Sequence, residues 1–139
     1  MDRKIYFAGS IRGGRDDQEI YFAVIKELGK YGTVLTEHLG SKELGVQGEH
    51  TNTDTFIFKR DMDWVREADV IVAEVSTPSL GVGYELGQAE AMGKQILCLY
   101  RPSEGKRLSA MVAGNNYVQI EEYQTLKDVV ELFSGYFNS

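Results

Sequence analysis

The chain has 139 residues, 42% hydrophobic and 26% charged, with a formal net charge of −6 at pH 7. That length suits one domain with its own core. The negative balance excludes broad binding to nucleic acid or to an anionic membrane, both of which reward a basic surface, but one phosphate in a local pocket still fits.

Cys98, the single cysteine, lies in an apolar run. It offers no disulfide framework and reads as a buried core thiol. The N-terminus has no signal-peptide core, and no apolar run reaches membrane-spanning length. A soluble cytoplasmic protein is expected, with the nucleus also open to it in a eukaryotic cell.

Residues 4–8 alternate and then turn apolar, the pattern of a first strand. Gly9-Ser10-Ile11-Arg12-Gly13-Gly14-Arg15 is a glycine-rich turn. Asp16 or Asp17 can cap the next helix, whose apolar face is Ile20, Val24, Ile25 and Leu28. Gly32 ends it, and residues 33–36 read as strand two. Residues 37–53 hold three glycines and no clear period; such long connections are often lids or interface segments.

A helix over 54–68, capped by Thr53 or Asp54, leads to strand three at 69–75. Ser79-Leu80-Gly81-Val82-Gly83-Tyr84-Glu85 follows and opens a helix that ends near Gly93. Strand four covers 95–100, a short helix 108–112, a weaker fifth strand 117–120 and a closing amphipathic helix 125–137. Strands alternating with helices predict the α/β class. The expected architecture is a single Rossmann-like or flavodoxin-like domain. Its five parallel strands run in the order 2-1-3-4-5, with helices on both faces.

Such folds bind ligands beyond the carboxyl ends of the strands, at the switch point between strands one and three. Two turns should meet there. The first, Gly9 to Arg15, has neither the dinucleotide nor the P-loop spacing, yet Ser10, Arg12 and Arg15 can donate to a phosphate. In the second, Ser79 with Gly81 and Gly83 can bring backbone N–H groups against an anion.

At about 100° per residue, Ile57, Phe58, Trp64, Val65 and Ala68 all fall within about 60° of Asp61. Asp61 is thus placed in the middle of an apolar face, as a buried cap or ion-pair member or as a catalytic acid. Asp63 points away as a surface charge. Glu85 faces the same way as Val82, Ala89 and Met92, and reads either as a first-turn complement to the helix dipole or as the second of two inward acids. Such a pair on separate helices is the equipment for breaking a glycosidic bond. Tyr6 is core or a buried donor, His38 a stacking or a surface residue, and Ser109 has no visible path to the pocket. His38 and His50 make no zinc spacing, and neither metal nor cofactor is expected.

Several co-ordered motifs carry a resemblance. They are residues 6–15, Thr36-Glu37-His38, Asp61-Met62-Asp63-Trp64 and residues 78–87, continued by Leu97-Cys98-Leu99, Arg101-Pro102 and Leu108-Ser109-Ala110-Met111. Together they resemble the 2'-deoxynucleoside 5'-monophosphate N-glycosidases of the nucleoside 2-deoxyribosyltransferase superfamily. Only residues 39–53 and the C-terminal segment match loosely. The family often has asparagine at the position of Asp63.

The resemblance implies cleavage of the N-glycosidic bond of a deoxynucleoside monophosphate to free base and 2-deoxyribose 5-phosphate. Glu85 would be the nucleophile, Asp61 would assist the leaving base, and Tyr6 would position them. Gly9, Ser10, Arg12, Ser79 and Gly81 would hold the phosphate, joined by Ser109 of the partner subunit in a homodimer with a composite active site. Ile11, His38 and Ile57 would surround the base. Two other readings stand beside it: base exchange on unphosphorylated deoxynucleosides, and a non-catalytic nucleotide-binding domain. Arg12 and Arg15 with Ser79 favour a phosphorylated substrate, and Tyr6, Asp61 and Glu85 together favour an enzyme.

Overall fold

Apolar runs too short for helices pair here as one parallel sheet. The structure, a computed structural model, describes residues 2–10, 15–36 and 52–138, with the side chains of Arg15 and Asp16 outside it. Ile11, Arg12, His38 and residues 37–51 of the long connection therefore lie outside the described residues. The strands are β1 (Lys4–Ala8), β2 (Thr33–Val34), β3 (Val70–Glu74), β4 (Gln95–Tyr100) and β5 (Gln119–Glu122), in the order β2-β1-β3-β4-β5. Every pairing is parallel, and the expected order is the observed one. The helices are α1 (Arg15–Leu28), α2 (Asp54–Glu67), α3 (Leu80–Ala91), α4 (Ala110–Ala113) and α5 (Leu126–Phe137). Among the described residues no helix is long and apolar enough to cross a membrane.

The two-residue period of the strands divides the core. Ile5, Phe7, Val70, Val72, Leu97 and Leu99 pack with Val24, Leu28, Val129 and Phe133 of α1 and α5. Tyr6, Ala8, Ile71, Ala73, Ile96 and Cys98 face the other way, with Met62, Val65, Leu86 and Ala89 of α2 and α3. Cys98 is fully buried and its thiol is pushed up to about 12 by that burial, so it is the core thiol expected.

Several boundaries differ from expectation. Strand two stops at Val34 because side-chain bonding replaces the ladder: Thr36 Oγ1 accepts from Phe7 N at 2.9 Å and donates to Phe7 O at 2.7 Å. Helix α1 starts at Arg15, so Asp16 and Asp17 lie in its first turn and not at the N-cap position. Helix α3 starts inside the glycine stretch, with Ser79 as its N-cap and Gly93 beyond its end at φ 74°. Strand five begins at Gln119, because Tyr117 leaves the ladder to bond Asn115 Oδ1 and Lys94 O. Thr125 caps α5 in a reciprocal box with Asp128.

Gly32 lets β2 start close against β1. A Cβ there would lie 2.2 Å from the Arg3 carbonyl oxygen, which also accepts Thr33 N–H at 2.8 Å. Gly32→Ala is expected to destabilise the fold by about 1–3 kcal/mol through that clash; equal denaturation midpoints for the variant and the parent would contradict it.

Candidate active site

Strand alternation turns Tyr6 toward α2 and α3, where it is 1% exposed. A phenol buried this way needs a partner. It donates to Glu85 Oε2, in the second turn of α3. Burial pushes the Glu85 carboxyl up to about 7; the Tyr6 hydrogen bond opposes that rise, and the Asp61 charge adds to it. Burial, then the charges of Glu85 and Asp61, hold the Tyr6 hydroxyl far above the usual phenol range. Tyr6 is therefore a standing donor.

Helix α2 supplies Asp61. The buried stripe of that helix is Met62, Val65 and Ala68, while Phe58 is half-exposed. Asp61 is consequently at the margin of the stripe, not in its middle, and this margin borders a cleft. Asp61 lines the cleft and is ion-paired. Arg60 Nε and Nη2 approach its Oδ1 at 3.0 and 2.9 Å. Asp63 points outward as expected, 72% exposed and paired with Arg66 at 2.9 Å.

Asp61 and Glu85 line a cleft of about 430 Å³ with Ile57, Phe58, Gly81 and Tyr84. Phe58 and Tyr84 are tilted against each other at its mouth, centroids 5.9 Å apart. Leu80 belongs both to this cleft and to a second, of about 510 Å³, which Ser79 and Ser109 line. Ser109 thus lines the groove on the Ser79 side of α3 within one chain and is not among the residues that line the Glu85 cleft. Each serine caps a helix: Ser79 Oγ accepts Val82 N–H and Ser109 Oγ accepts Met111 N–H, both at 3.2 Å. Their hydroxyl hydrogens can still be donated. A cavity of about 720 Å³ lies at the amino ends of the strands, beside Arg3, Asp69 and Gln95, and holds none of the expected site residues.

Polar contacts tie the start of α1 to the β3–α3 turn and to the end of β4. Gly9 lies against Tyr21, whose ring a Cβ at that position would meet at 2.9 Å. Ser10 is buried, and its N–H donates to Tyr21 Oη at 3.1 Å. Thr77 donates to Asp17 Oδ2 at 2.5 Å, and Arg101 is 3.7 Å from Asp17 Oδ1. Glu74, 2% exposed, accepts from Ser76 N and Ser76 Oγ at 2.8 Å each and from the Tyr123 hydroxyl. Ser76 Oγ in turn accepts Arg101 N–H at 2.8 Å. The α1 start, the β3–α3 turn and the end of β4 are locked at the switch point.

Sequence reasoning missed Glu74 and Arg60. The signal for Glu74 was a lone charge inside a buried run, which is costly unless bonded. For Arg60 it was Phe56 and Trp64 one turn to either side; the guanidinium carbon is 5.6 and 4.8 Å from their ring centroids.

The model of the family named nucleoside 2-deoxyribosyltransferase matches residues 5–123. The chain belongs to the nucleoside 2-deoxyribosyltransferase family. The match spans all the strands and the cleft, so the family's sheet carries the site described. Within it, the chain is 56% identical over 135 residues to a Tetraodon nigroviridis protein named 5-hydroxymethyl-dUMP N-hydrolase, covering 90% of this chain and 95% of that one. A Homo sapiens protein of the same name is 48% identical over 139 residues, covering 97% and 79%. Among solved structures, a CMP N-glycosidase of Clostridium botulinum shares the fold with a TM-score of 0.67. It is 21% identical and covers 96% of this chain and 99% of that one.

The raised Glu85 carboxyl also links stability to pH. The folded state binds this proton more tightly than the unfolded chain, whose value is the ordinary 4.5. The stabilising contribution is therefore full below about pH 4.5 and is lost as pH rises through about 7. Glu85→Gln should remove this component, so stability should fall less between about pH 5 and about pH 8 than in the parent. Denaturant unfolding at the two pH values checks this; an unchanged difference would contradict it.

Proposed function

We propose that this chain hydrolyses the N-glycosidic bond of 2'-deoxynucleoside 5'-monophosphates, giving free base and 2-deoxyribose 5-phosphate. The Tyr6–Glu85 pair in the Asp61 cleft carries the reading. A carboxylate held by a phenol, desolvated and ionising near neutrality, is equipped as a nucleophile.

Glu85 attacks C1'. The C1'–N bond breaks, its electron pair leaves with the base, and the base takes up a proton, with Asp61 assisting the departure. Water then adds at C1' of the deoxyribosyl ester, loses a proton to solvent and releases the Glu85 carboxylate. One water is consumed in total. The missing 2'-hydroxyl eases formation of the oxocarbenium-like transition state.

Remote phosphate contacts fix C1' against Glu85. Gly9, Ser10, Arg12, Ser79 and Gly81 are assigned to the phosphate, and Ile11, His38 and Ile57 to the base. Relatives named for 5-hydroxymethyl-dUMP put that nucleotide first among substrates to assay.

The site is completed in a homodimer by Ser109 of the partner subunit. Support comes from the groove that holds Ser79 and Ser109, where Leu80 is 95% exposed and Met111 83% exposed. Apolar side chains this open are suited to a self-complementary contact.

Glu85→Ala should lower turnover of deoxynucleoside monophosphates by at least about a thousandfold, and near-normal turnover would sink the assignment. In the parent, kcat/KM should rise with pH through about 7 as Glu85 ionises. Tyr6→Phe should move that limb upward, because the lost hydrogen bond is what holds the carboxyl down. Equal use of a deoxynucleoside and its monophosphate would favour base exchange instead. Met111→Glu should shift the light-scattering mass from dimer to monomer and raise KM for the monophosphate about tenfold, roughly 1.4 kcal/mol. A parent protein that is already monomeric would overturn the composite site.

A further inference from the structure

We propose that Arg60 is a positioning residue for this reaction. Its guanidinium pairs with the Asp61 carboxylate and fixes its direction, so that Asp61 meets the substrate in one orientation. This rests on the reading of Glu85 and Asp61 given above.

The contact is specific in shape. Nε and Nη2 both reach Oδ1, at 3.0 and 2.9 Å, and the two side chains are only 18% and 23% exposed. Trp64 and Phe56, one turn on either side, flank the guanidinium at 4.8 and 5.6 Å. The fork is therefore held by packing before substrate arrives. A lysine supplies the charge but neither the fork nor the flat face.

The surrounding charges give the contact its purpose. Asp61 is faced by Tyr6 from β1 and Glu85 from α3, and Asp54 lines the same cleft two turns earlier in α2. Tyr6 is committed to Glu85 as a donor. The other two are acids, and the substrate brings a phosphate. Like charges gathered this way drive a proton onto one of them unless a cation intervenes. Arg60 is that cation among the described residues, and it is placed on Asp61. A fixed anion in the cleft stabilises the positive charge that develops on the sugar as the C1'–N bond breaks.

The test is kcat and KM against pH for Arg60→Gln and Arg60→Lys, on a deoxynucleoside monophosphate and on the matching deoxynucleoside, with Glu85→Gln as control. Arg60→Gln should lower kcat about 10- to 100-fold and move the acid limb up by about one pH unit, with KM within about threefold. Arg60→Lys should keep the acid limb and lose about fivefold in kcat. A general loss of packing would not move the limb.

Parental kcat and pH profile in Arg60→Gln overturn the inference. So does a rise in KM for the monophosphate alone, which would make Arg60 a phosphate ligand. Should Arg60→Gln fail to fold, Arg60→Lys decides, and parental kcat there overturns the inference. An active Glu85→Gln removes the reading of the site and this inference with it. An inactive Glu85→Gln beside an unchanged Arg60→Gln removes this inference alone.

Discussion

The Tyr6–Glu85 hydrogen bond joins the sheet to the helix that carries the carboxylate, and the site depends on it. It satisfies a phenol on the inner face of β1 that would otherwise be buried without a partner, at a penalty of about 1–3 kcal/mol. It also fixes the direction of a carboxylate that burial alone would leave protonated and uncommitted. Desolvation raises Glu85 while the bond from Tyr6 lowers it, and the balance falls at about 7. A more exposed glutamate would ionise readily but would be well solvated. One buried without Tyr6 would ionise less readily. The conflict between folding and reactivity is settled by one hydroxyl.

That bond is only useful if the β3–α3 turn is rigid, and a second carboxylate, this one fully buried, provides for this. Glu74 ends β3 and takes three donors: two from Ser76, directly after the strand, and one from Tyr123, beyond β5. Ser76 passes the connection to the backbone of Arg101, and Asp17 ties Thr77 to the start of α1. The chain leaves the sheet at the switch point under fixed geometry, so Ser79 and Glu85 follow in a set direction. A parallel sheet of order 2-1-3-4-5 opens a crevice there whatever the sequence. The polar lock makes the crevice a defined site.

Much of this was legible in the sequence because it rests on periodicity. The strand runs, the outward turn of Asp63 and the inward turn of Glu85 follow from spacing along a strand or helix, and the strand order from the alternation of strands with right-handed crossover helices. What was not legible depends on side chains substituting for backbone or on pairs that spacing does not rank. Thr36 takes over both ladder bonds of Phe7, so strand two ends earlier than its β-rich residues imply. Tyr117 is spent on Lys94 O, so strand five starts later. Asp61 looked central on a helical wheel that gives every apolar residue equal weight, yet Phe58 is half-exposed and Met62 is buried. Ser109 is remote from Ser79 in sequence, and only the folded chain shows the two lining one groove.

Helix α3 has the least local reason to be a helix. Gly81, Gly83 and Gly87 lie within its twelve residues, and each glycine costs about 1 kcal/mol relative to alanine in a helix interior. None of the three is required by crowding: a Cβ at Gly83 or Gly87 would meet nothing within 4 Å, and one at Gly81 only Ser79 Oγ at 4.0 Å. Within one chain the glycines are pure expense, in contrast to Gly9 and Gly32, which neighbours hold in place. The proposed composite site supplies the missing reason. Gly81 lines the Glu85 cleft, and Gly83 and Gly87 line the groove with Leu80 and Ser109. Bare backbone on those two sides leaves room for the phosphate and the second subunit proposed above. On this view the helix is weak alone because its surface is made for what docks against it, while Ser79 at its cap and the buried Val82, Leu86 and Ala89 keep it formed.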